Sequence, residues 1–412
     1  MKIHLDLDSF FVSAHRVYDE SLLNKPVVVV KRNDKEIFQN HKAEVLNLNK
    51  GAFTGDIIIS KKEYDKSYFL ENGKIRGIVV TASYEARELG IKTGTTLKEA
   101  LSIYPDLVVL LPDYRLYHTL SYRLKNFLKR KIPAIEQYSI DEFFGDLGGY
   151  VEDKNTYEFC LNLKREIYEK FSLPVSIGIA RSKWIAKLAT SFAKPNGVFK
   201  VDDVDSFIQN IKIEKFPGIG KRLEKRLKER GIYTLGDVKA NKEYFYSWGK
   251  NGVELYNRVC GIDNEEVKER VARKSIGISR RFDVVYDRVE LIRRVHVLCR
   301  YLSFLVQKHK VNPTFYYLKI KYKNKKSSKA HVRISRLFNE MLLKEIMSML
   351  FYRADEENTG VIALSLVVGR FKRESNLFDL EKDKKMEKLN SAIYKIRSKY
   401  GVSSLIAGFE MW

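Results

Sequence analysis

The chain opens with the stretch KIHLDLDSFFVS, from Lys2 to Ser13, which is unusual for a buried strand. Apolar residues alternate through it, as they do in a strand, but Asp6 and Asp8 lie in the middle and two phenylalanines follow at once. On a regular strand the two aspartates point to one side and the neighbouring leucines to the other. Because a buried carboxylate without a partner is very costly, the pattern predicts acids that are solvated, paired or bound to a metal ion.

A second acidic pair, Asp141 and Glu142, lies within the stretch YSIDEFFGD. Neighbouring strand residues point to opposite faces, so the two side chains converge only where the backbone turns, as the nearby Gly145 suggests. Carboxylates from two strands that meet at one point suit a hard divalent cation such as Mg²⁺, and a two-ion site of this kind serves in-line attack on a phosphorus atom. Either pair alone has a simpler explanation, because Asp is also common in turns and at strand ends.

Side chains suited to a triphosphate occur in two further motifs. The motif TASYEAR contains Thr81, Tyr84 and Arg87, and SFAKPNG places Lys194 at the end of a predicted helix. Tyr84 and Arg87 are three residues apart and therefore share one face of a helical turn. Basic groups that converge on a metal-bound phosphate neutralise the charge that shifts to the leaving group. For Arg87, a surface salt bridge with a neighbouring glutamate is the alternative.

The most specific DNA-binding signal is the stretch KFPGIGKRLEKRLKERGIYTLGDV, residues 215–238. Gly218 and Gly220 predict a tight turn between helices that exposes backbone N–H groups at a helix N-terminus, with Lys221 and Arg222 beside them. This arrangement is typical of a helix–hairpin–helix motif that binds the DNA backbone. An ordinary α-hairpin with a glycine turn is the alternative.

The charge balance favours a polyanionic partner. The chain has 412 residues, with 75 Lys and Arg against 52 Asp and Glu, a net charge of +23. A solvated basic surface is the plainer alternative, and a membrane surface fits less well because the basic residues are spread over several segments. The three cysteines are far apart, which indicates a reducing compartment and argues against disulfides or a zinc site. With neither a bilayer-spanning apolar run nor a secretory signal, we expect a cytoplasmic protein without a membrane partner.

Strands and helices interleave over the first half of the chain, which predicts a mixed α/β domain, and residues 208–263 are helical and basic. The last large unit follows the order β-α-β-β-α-β, which predicts one sheet with both helices on the same face. Its predicted elements are strand 275–282, helix 289–309, strands 314–323 and 330–338, helix 339–353 and strand 360–372. In the second strand Lys319, Lys321 and Lys323 alternate with apolar residues. A DNA-facing sheet is favoured over a solvated one, because a row of like charges costs stability unless phosphates neutralise it.

Taken in order, these stretches resemble the Y-family of translesion DNA polymerases. The matching motifs are LDLDSFF, KPVVV, TASYEARELGI, YSIDE, SIGIARSKWIAKLATSFAKPNG, FPGIGKRLEKRL and RKSIG, and they cover most of the chain up to about Glu374. The resemblance implies an α/β multidomain right-hand polymerase: a mixed α/β palm, fingers, a helical helix–hairpin–helix thumb and a β-α-β-β-α-β little finger. It divides the chain into palm (1–18 and 113–206), fingers (19–112), thumb (207–266), linker (267–275), little finger (276–374) and C-terminal tail (375–412).

The resemblance also assigns roles to residues. It implies that Asp6, Asp141 and Glu142 hold two Mg²⁺ ions, for which Mn²⁺ can substitute, with the main-chain carbonyl of Leu7 assisting and Asp8 supporting. Phe11 aligns with the steric gate of the family, whose ring clashes with a ribose 2′-hydroxyl. The other implied contacts are, for the triphosphate, Phe10, Thr81, Tyr84, Arg87 and Lys194, and, for DNA, Gly218, Gly220, Lys221, Arg222, Lys274, Ser275, Lys319, Lys321 and Lys323.

The implied activity is template-directed addition of deoxynucleotides to a primer 3′ end by two-metal nucleotidyl transfer. Low fidelity, absence of proofreading and a role in translesion synthesis during DNA repair are implied with it. Primer–template DNA and an incoming dNTP are the implied partners, and we expect a monomer. Two alternatives stay open: an inactive scaffold that binds primer–template DNA or a sliding clamp, and a helix–hairpin–helix nuclease that uses the same carboxylates. Retention of the acidic residues argues against the scaffold.

Two segments depart from the family pattern. The fingers contain an insertion, about residues 31–78, much longer than the short connection usual in the family. Near the C-terminus, ESNLFDL resembles a sliding-clamp-binding peptide through Leu377 and Phe378, but it lacks the glutamine that usually begins such peptides. The alternative for this stretch is a linker to the amphipathic helix that follows it.

Overall fold

The structure is a computed structural model and describes residues 1–32, 36–38, 44–45, 57–58, 66–71, 73–269, 273–355, 359–373 and 379–410. Its strands are β1 Lys2–Leu7, β2 Val27–Lys31, β3 Glu44–Val45, β4 Ile57–Ile58, β5 Leu70–Glu71, β6 Lys74–Ile75, β7 Ile78–Ala82, β8 Val108–Leu110, β9 Ala134–Gln137, β10 Glu142–Asp146, β11 Val175–Ala180, β12 Val198–Lys200, β13 Ser275–Val285, β14 Pro313–Tyr322, β15 Ser327–Arg333 and β16 Val361–Phe371.

Its α-helices are α1 Phe10–Arg16, α2 Tyr84–Glu88, α3 Leu97–Ile103, α4 Tyr114–Lys131, α5 Thr156–Phe171, α6 Lys183–Ala193, α7 Val204–Ile208, α8 Lys221–Lys228, α9 Leu235–Ala240, α10 Lys242–Tyr246, α11 Lys250–Val259, α12 Arg288–Lys308, α13 Glu340–Ala354 and α14 Leu380–Tyr400. Within the described ranges, no helix combines the length and the apolar character needed to cross a membrane.

The described residues form two compact units. The first is drawn from Met1–Val30 and Ile78–Val271, and the second from Lys31–Leu48, Thr54–Gly77 and Ala272–Trp412. Part of the segment predicted to be an insertion in the fingers thus belongs to the same unit as the predicted little finger. The predicted domain boundaries are otherwise still predictions.

A five-stranded sheet, in the order β12-β11-β1-β10-β9, forms the centre of the first unit. Strand β1 lies in the middle and runs antiparallel to both of its neighbours, β10 and β11. Helix α6 packs directly on β11, and Gly178 allows this approach, because a Cβ there would lie 2.1 Å from the carbonyl oxygen of Ala186. The close packing brings polar side chains of α6 against His4 of β1 and Glu142 of β10.

A three-stranded sheet, β7-β2-β8, also belongs to the first unit, and the valines of β2 are fully buried, as the PVVVV pattern predicted. Helices α8 to α11 form the segment that corresponds to the predicted thumb. Leu227, Leu235, Val238 and Phe245 have no exposed surface there, which gives this helical segment an apolar core.

The second unit contains a four-stranded antiparallel sheet in the order β13-β16-β14-β15, packed with α12 and α13. The predicted order β-α-β-β-α-β is confirmed. Strand β15 spans Ser327–Arg333 instead of the predicted 330–338. The hairpin closes at once after β14, where Tyr322 donates to the carbonyl of Lys326, so pairing begins earlier than expected. Leu337 and Phe338 are buried, which explains why their apolar pattern suggested a longer strand.

Two distant segments contribute to the core of the second unit. Ile37 and Phe38 are 0% and 5% exposed, and the ring of Phe38 lies edge-on to Phe282, with ring centroids 5.6 Å apart. Arg293 donates to the carbonyl of Phe38 at 3.3 Å. The predicted C-terminal tail also belongs to this unit, through α14 and the following residues up to Glu410, whose side chain has no exposed surface. Leu377 and Phe378 lie outside the described residues.

Candidate active site

The acidic residues predicted from separate motifs meet at one end of the central sheet. Asp6 is the second-last residue of β1 and stands opposite Glu142 on β10 and Ser176 on β11. The next residue, Leu7, donates its backbone N–H to the carbonyl of Asp141 at 3.0 Å. The strand register therefore brings all three predicted metal ligands together, as the sequence could only suggest.

The carboxylates of Asp6 and Asp141 are half-buried and lie close to other negative charges; the side chain of Asp6 is 15% exposed. Burial raises the pKa of Asp6 to about 6, partly offset by Lys194, while the charge of Glu142 raises it further. Burial also raises the pKa of Asp141, and the negative charge of Asp6 adds to the rise. Neighbouring carboxylates with raised pKa values favour a nearby cation, and oxygen ligands suit Mg²⁺. The residues therefore fit a divalent metal ion.

Lysines pair with two of these carboxylates in the structure. Lys194, just after α6, contacts Asp6 with 2.7 Å between its Nζ and Oδ1, and Lys187 on α6 contacts Glu142. Among the described residues no group of three or more His, Cys, Asp or Glu side chains is placed as a ready-made metal site. The two carboxylates are thus neutralised by lysines in this structure.

Asp8 is fully occupied by protein donors. Tyr84 and Ser176 donate their hydroxyls to it at 3.0 and 2.8 Å, and the backbone N–H of Asn196 donates at 2.7 Å. Asp8 is only 1% exposed. A carboxylate with three donors has little capacity left for a metal ion, which agrees with a supporting role. Through these hydrogen bonds Asp8 links the end of β1 to α2, to β11 and to the segment after α6.

The predicted steric gate, Phe11, is held by a second aromatic ring. Its ring stacks on Tyr117 of α4, with centroids 4.1 Å apart and planes inclined by 5°. Tyr117 is fully buried, and its hydroxyl lies 2.8 Å from the Nε2 atom of His15. Phe10 is 2% exposed, so its side chain belongs to the core and any contact with a nucleotide is left to its backbone.

Tyr84 and Arg87 lie together on α2, as their spacing predicted. The Arg87 guanidinium lies 4.8 Å from the centre of the Tyr84 ring and donates to the carbonyl of Ala82 at 3.0 Å. Glu85 pairs with Arg16, with 3.0 Å between their atoms, so the alternative salt bridge to Arg87 is not formed by Glu85. Thr81, in β7, is half-buried.

The predicted thumb motif has the expected local geometry. Gly218 has a φ of 101°, in the left-handed region that favours glycine, and Gly220 is the residue before the first turn of α8. Lys221 and Arg222 are exposed at the start of that helix, while Leu227 is fully buried on its inner face. Backbone N–H groups at this helix start and two cations are thus available to an anion.

In the second unit, the predicted row of lysines is solvent-exposed. Lys319, Lys321 and Lys323 are exposed, and the alternating Leu318 and Ile320 are fully buried. Lys319 stands opposite Lys329 on β15, a like-charged neighbour that the strand pattern did not reveal. Lys274 and Ser275 are exposed at the start of β13, beside the same sheet.

The central sheet is mixed, with acids at one end and basic side chains beside them, and a helix–hairpin–helix segment follows it along the chain. This combination is typical of a nucleotidyltransferase of the right-hand polymerase class. Comparison with known proteins agrees. Residues 5–191 match the impB/mucB/samB family, and residues 201–232 match the HHH motif of that family. DNA polymerase IV of Streptococcus pyogenes serotype M1 is 28% identical over 373 residues, which cover 89% of this chain and 92% of that protein. The serotype M28 protein of the same name is 27% identical with the same coverage.

Solved structures share the fold. A Y-family DNA polymerase chimera of Dbh and Dpo4 has a TM-score of 0.71 at 23% identity, covering 90% of this chain and 98% of the other. The insertion ternary complex of Dbh DNA polymerase has a TM-score of 0.57 at 22% identity, with the same coverage. The chain belongs to the impB/mucB/samB family, the Y-family of DNA polymerases, and is a DNA-directed DNA polymerase.

Sequence reasoning missed several residues at the site. Lys187 and its neighbour His4, which is 1% exposed, were not singled out, although two lysines four residues apart on the apolar helix α6 were a visible signal. Tyr117, whose ring stacks on Phe11, gave no local signal, because it lies 106 positions after Phe11. Burial and the neighbouring Lys187 lower the pKa of His4 well below its ordinary value.

Proposed function

We propose that the chain extends a primer 3′ end with two divalent metal ions, Mg²⁺ or in its place Mn²⁺, held by Asp6, Asp141 and Glu142. The observation that carries this proposal is the strand register that places Asp6 opposite Glu142 and next to the chain at Asp141, at one end of the central sheet. When bound, the ions supply activation of the attacking oxygen and stabilisation of the leaving oxygens. The carbonyl of Leu7 lies at the same end of β1 and adds an uncharged oxygen ligand.

The surrounding cations would bind and orient the triphosphate. Lys194 pairs with Asp6 in this structure, and its ammonium group would be available to a phosphate if that carboxylate held a metal ion. Arg87 and Tyr84 present an adjacent guanidinium and hydroxyl from α2, and Thr81 precedes them. Tyr84 already donates to Asp8, so the nucleotide-binding helix is coupled to the acidic end of β1.

Phe11 would select deoxyribonucleotides by shape. Its ring is fixed by the stack on Tyr117 and cannot turn aside without losing that contact. A sugar with a 2′-hydroxyl would have to displace both rings, whereas a deoxyribose would not. Discrimination between ribose and deoxyribose thus rests on the stacked rings of Phe11 and Tyr117.

DNA would be held mainly through its backbone. At the start of α8, backbone N–H groups and cations are available from Gly218, Gly220, Lys221 and Arg222. Further donors are exposed on the second-unit sheet: Lys274, Ser275, Lys319, Lys321 and Lys323. Phosphate contacts carry little sequence information, so binding is tolerant of sequence and depends steeply on salt. Sequence-tolerant binding suits low-fidelity translesion synthesis without proofreading, by a monomer in the cytoplasm, where the three free cysteines stay reduced. Clamp binding by Leu377 and Phe378 is still a prediction.

Primer extension tests the proposal. An undamaged primer–template is incubated with Mg²⁺ and each dNTP separately, using the natural chain, Asp141→Ala and the control Asp202→Ala, whose side chain is 75% exposed. We expect templated addition by the natural chain and the control, and none by Asp141→Ala, with DNA affinity nearly unchanged in all three. Extension by Asp141→Ala would remove the metal-site assignment. Tight DNA binding without any addition would instead favour the inactive scaffold, and shortened primers without dNTP would favour a nuclease.

A further inference from the structure

A chain of three polar side chains runs from the buried side of the central sheet to Glu142. Thr190 on α6 lies 2.8 Å from the Nδ1 atom of His4, and the Nε2 atom of His4 lies 3.4 Å from the ammonium of Lys187. Lys187 in turn contacts the Oε1 atom of Glu142. His4 is 1% exposed and the side chain of Lys187 is 16% exposed, so water contributes little to this chain.

The hydrogen-bond directions follow from the chemistry of the groups. The Thr190 hydroxyl has a single proton, which it donates to the carbonyl of His4 at 3.1 Å or of Ala186 at 3.0 Å. With that proton placed on a carbonyl, the Thr190 oxygen accepts from Nδ1–H of His4, the tautomer that leaves a lone pair on Nε2. An ammonium group is only a donor, so Lys187 donates both to His4 and to Glu142. With this assignment, each donor along the chain of contacts faces an acceptor.

The backbone keeps this chain of contacts close to the acids. Gly178 lets α6 approach the sheet, since a Cβ there would lie 2.4 Å from the backbone nitrogen of Thr190. Lys187 also lies over the ring of Tyr138, with 4.9 Å between its Nζ and the ring centre. An aromatic face, a histidine lone pair and a carboxylate oxygen thus surround one ammonium group, which limits the positions it can take.

We propose that Lys187, held by His4, is a positioning residue that fixes Glu142 by one carboxylate oxygen and leaves the other oxygen aimed at the metal site. This inference rests on the proposed metal-binding role of Glu142. Partners behind the first ligands of a metal ion orient those ligands, and their loss typically lowers metal affinity or activity about 10- to 100-fold. Lys187 differs in this from Lys194, whose partner is Asp6.

The test is single-turnover insertion of one correct dNTP at saturating Mg²⁺. In Lys187→Met the side chain keeps its length but loses its charge and donors, so we expect the maximal insertion rate to fall about 10- to 100-fold. The half-saturating dNTP concentration and the affinity for DNA should stay within about twofold, because Lys187 does not bind either ligand in this proposal. Lys187→Arg, which keeps a cationic donor, should recover part of the rate.

His4→Phe provides a second variant that leaves Lys187 in place and preserves a ring against Phe144. It should lower the maximal rate in the same direction but less, and the double variant should be no slower than Lys187→Met, because both residues act through Glu142. Lys183→Met is the matched control, since Lys183 lies one turn earlier on α6 and pairs with Glu136 instead. Its maximal rate should stay within about threefold of the natural chain, and thermal melting of every variant checks its folding.

The outcomes separate this inference from the proposed function. If the natural chain extends primers, Asp141→Ala does not, and Lys187→Met inserts at the natural maximal rate, the positioning role is wrong and the metal site stands. A raised half-saturating dNTP concentration with an unchanged maximal rate would make Lys187 a phosphate contact and would also overturn it. If Lys187→Met does not fold, a natural rate in His4→Phe overturns the chain of contacts and a reduced rate supports it. Activity in Asp141→Ala would instead refute the metal site itself.

Discussion

The ion pair between Arg300 and Glu410 allows a sharp test of how the C-terminal segment is held. Both side chains have no exposed surface, and 3.2 Å separates Nη1 of Arg300 from Oε2 of Glu410. Among the described residues, the guanidinium nitrogens of Arg300 have no well-aligned hydrogen-bond acceptor, so the charge of Glu410 is their main compensation. Glu410→Gln keeps the size of the side chain but removes that charge.

Breaking a buried pair on one side typically costs about 3–5 kcal/mol, because the remaining charge is left in a medium that cannot solvate it. Detachment of the C-terminal segment would expose the unpaired charge to water. The loss of stability should therefore be concentrated in α14. We therefore expect backbone amides of α14 to exchange with deuterium roughly 10²- to 10³-fold faster in Glu410→Gln, since each 1.4 kcal/mol corresponds to about tenfold.

Hydrogen exchange followed by mass spectrometry measures this effect peptide by peptide. Glu229→Gln is the control, because its side chain is 62% exposed and 3.9 Å from Lys225, and its exchange should match the natural chain. Adding Arg300→Met to Glu410→Gln should restore part of the protection, since the Arg300 charge is gone and Lys344, the other cation paired with Glu410, keeps its contact with Glu340 at 3.0 Å. A change of less than threefold in the exchange of α14 in Glu410→Gln would contradict this role of the ion pair, as would a double variant that is no better protected than the single one.

Three further predictions concern the gate, the DNA surface and pH. Phe11→Ala should admit ribonucleotides, and Tyr117→Leu should do so more weakly by releasing the ring of Phe11. The rate of insertion of each rNTP relative to its dNTP measures this effect. Unchanged sugar discrimination in Phe11→Ala would assign the gate to another residue. Replacing Lys319 and Lys321 by glutamine should lower DNA affinity for every sequence and reduce the slope of log affinity against log salt by about one to two; an unchanged slope in a salt titration would remove these lysines from the DNA surface. Burial lowers the pKa of His296 to about 4, below the value of about 6.5 in the unfolded chain, so its contribution to the stability of the second unit is full above pH 6.5 and declines as the pH falls toward 4. Amide exchange of α12 from pH 7 to 4, corrected for intrinsic rates, should show a weaker pH dependence in His296→Gln, and an identical profile would contradict the assignment.

Local patterns were sufficient for much of the fold. The alternation in Lys2–Leu7 predicted β1, the PVVVV run predicted the buried β2, and the order of elements after Ser275 predicted the second-unit sheet. Prediction failed where burial and strand pairing diverge, as at residues 334–338, which are partly buried without belonging to β15. An apolar period reports burial, and pairing is only one way to achieve it.

The insertion shows a second limit of local patterns. Residues 31–78 are polar and irregular in sequence, with no period that indicates a packed element. Phe38 nevertheless joins the core of the second unit by contacts with Phe282 and Arg294, residues more than two hundred positions away. A single aromatic residue in a polar segment gives no sign of its partner, because that partner is set by the path of the chain.

The sequence by itself determined the identity of the acidic residues, the glycine turn before α8 and the class of polymerase, because each is encoded in a short motif whose residue types are dictated by chemistry. Only the tertiary structure decided which side chains hold those residues in place. The contact of Lys187 with Glu142, the stack of Phe11 on Tyr117 and the burial of Glu410 against Arg300 join positions 45, 106 and 110 residues apart. Contacts of this kind arise from strand register and close helix packing, and neither is written in any one stretch of the chain.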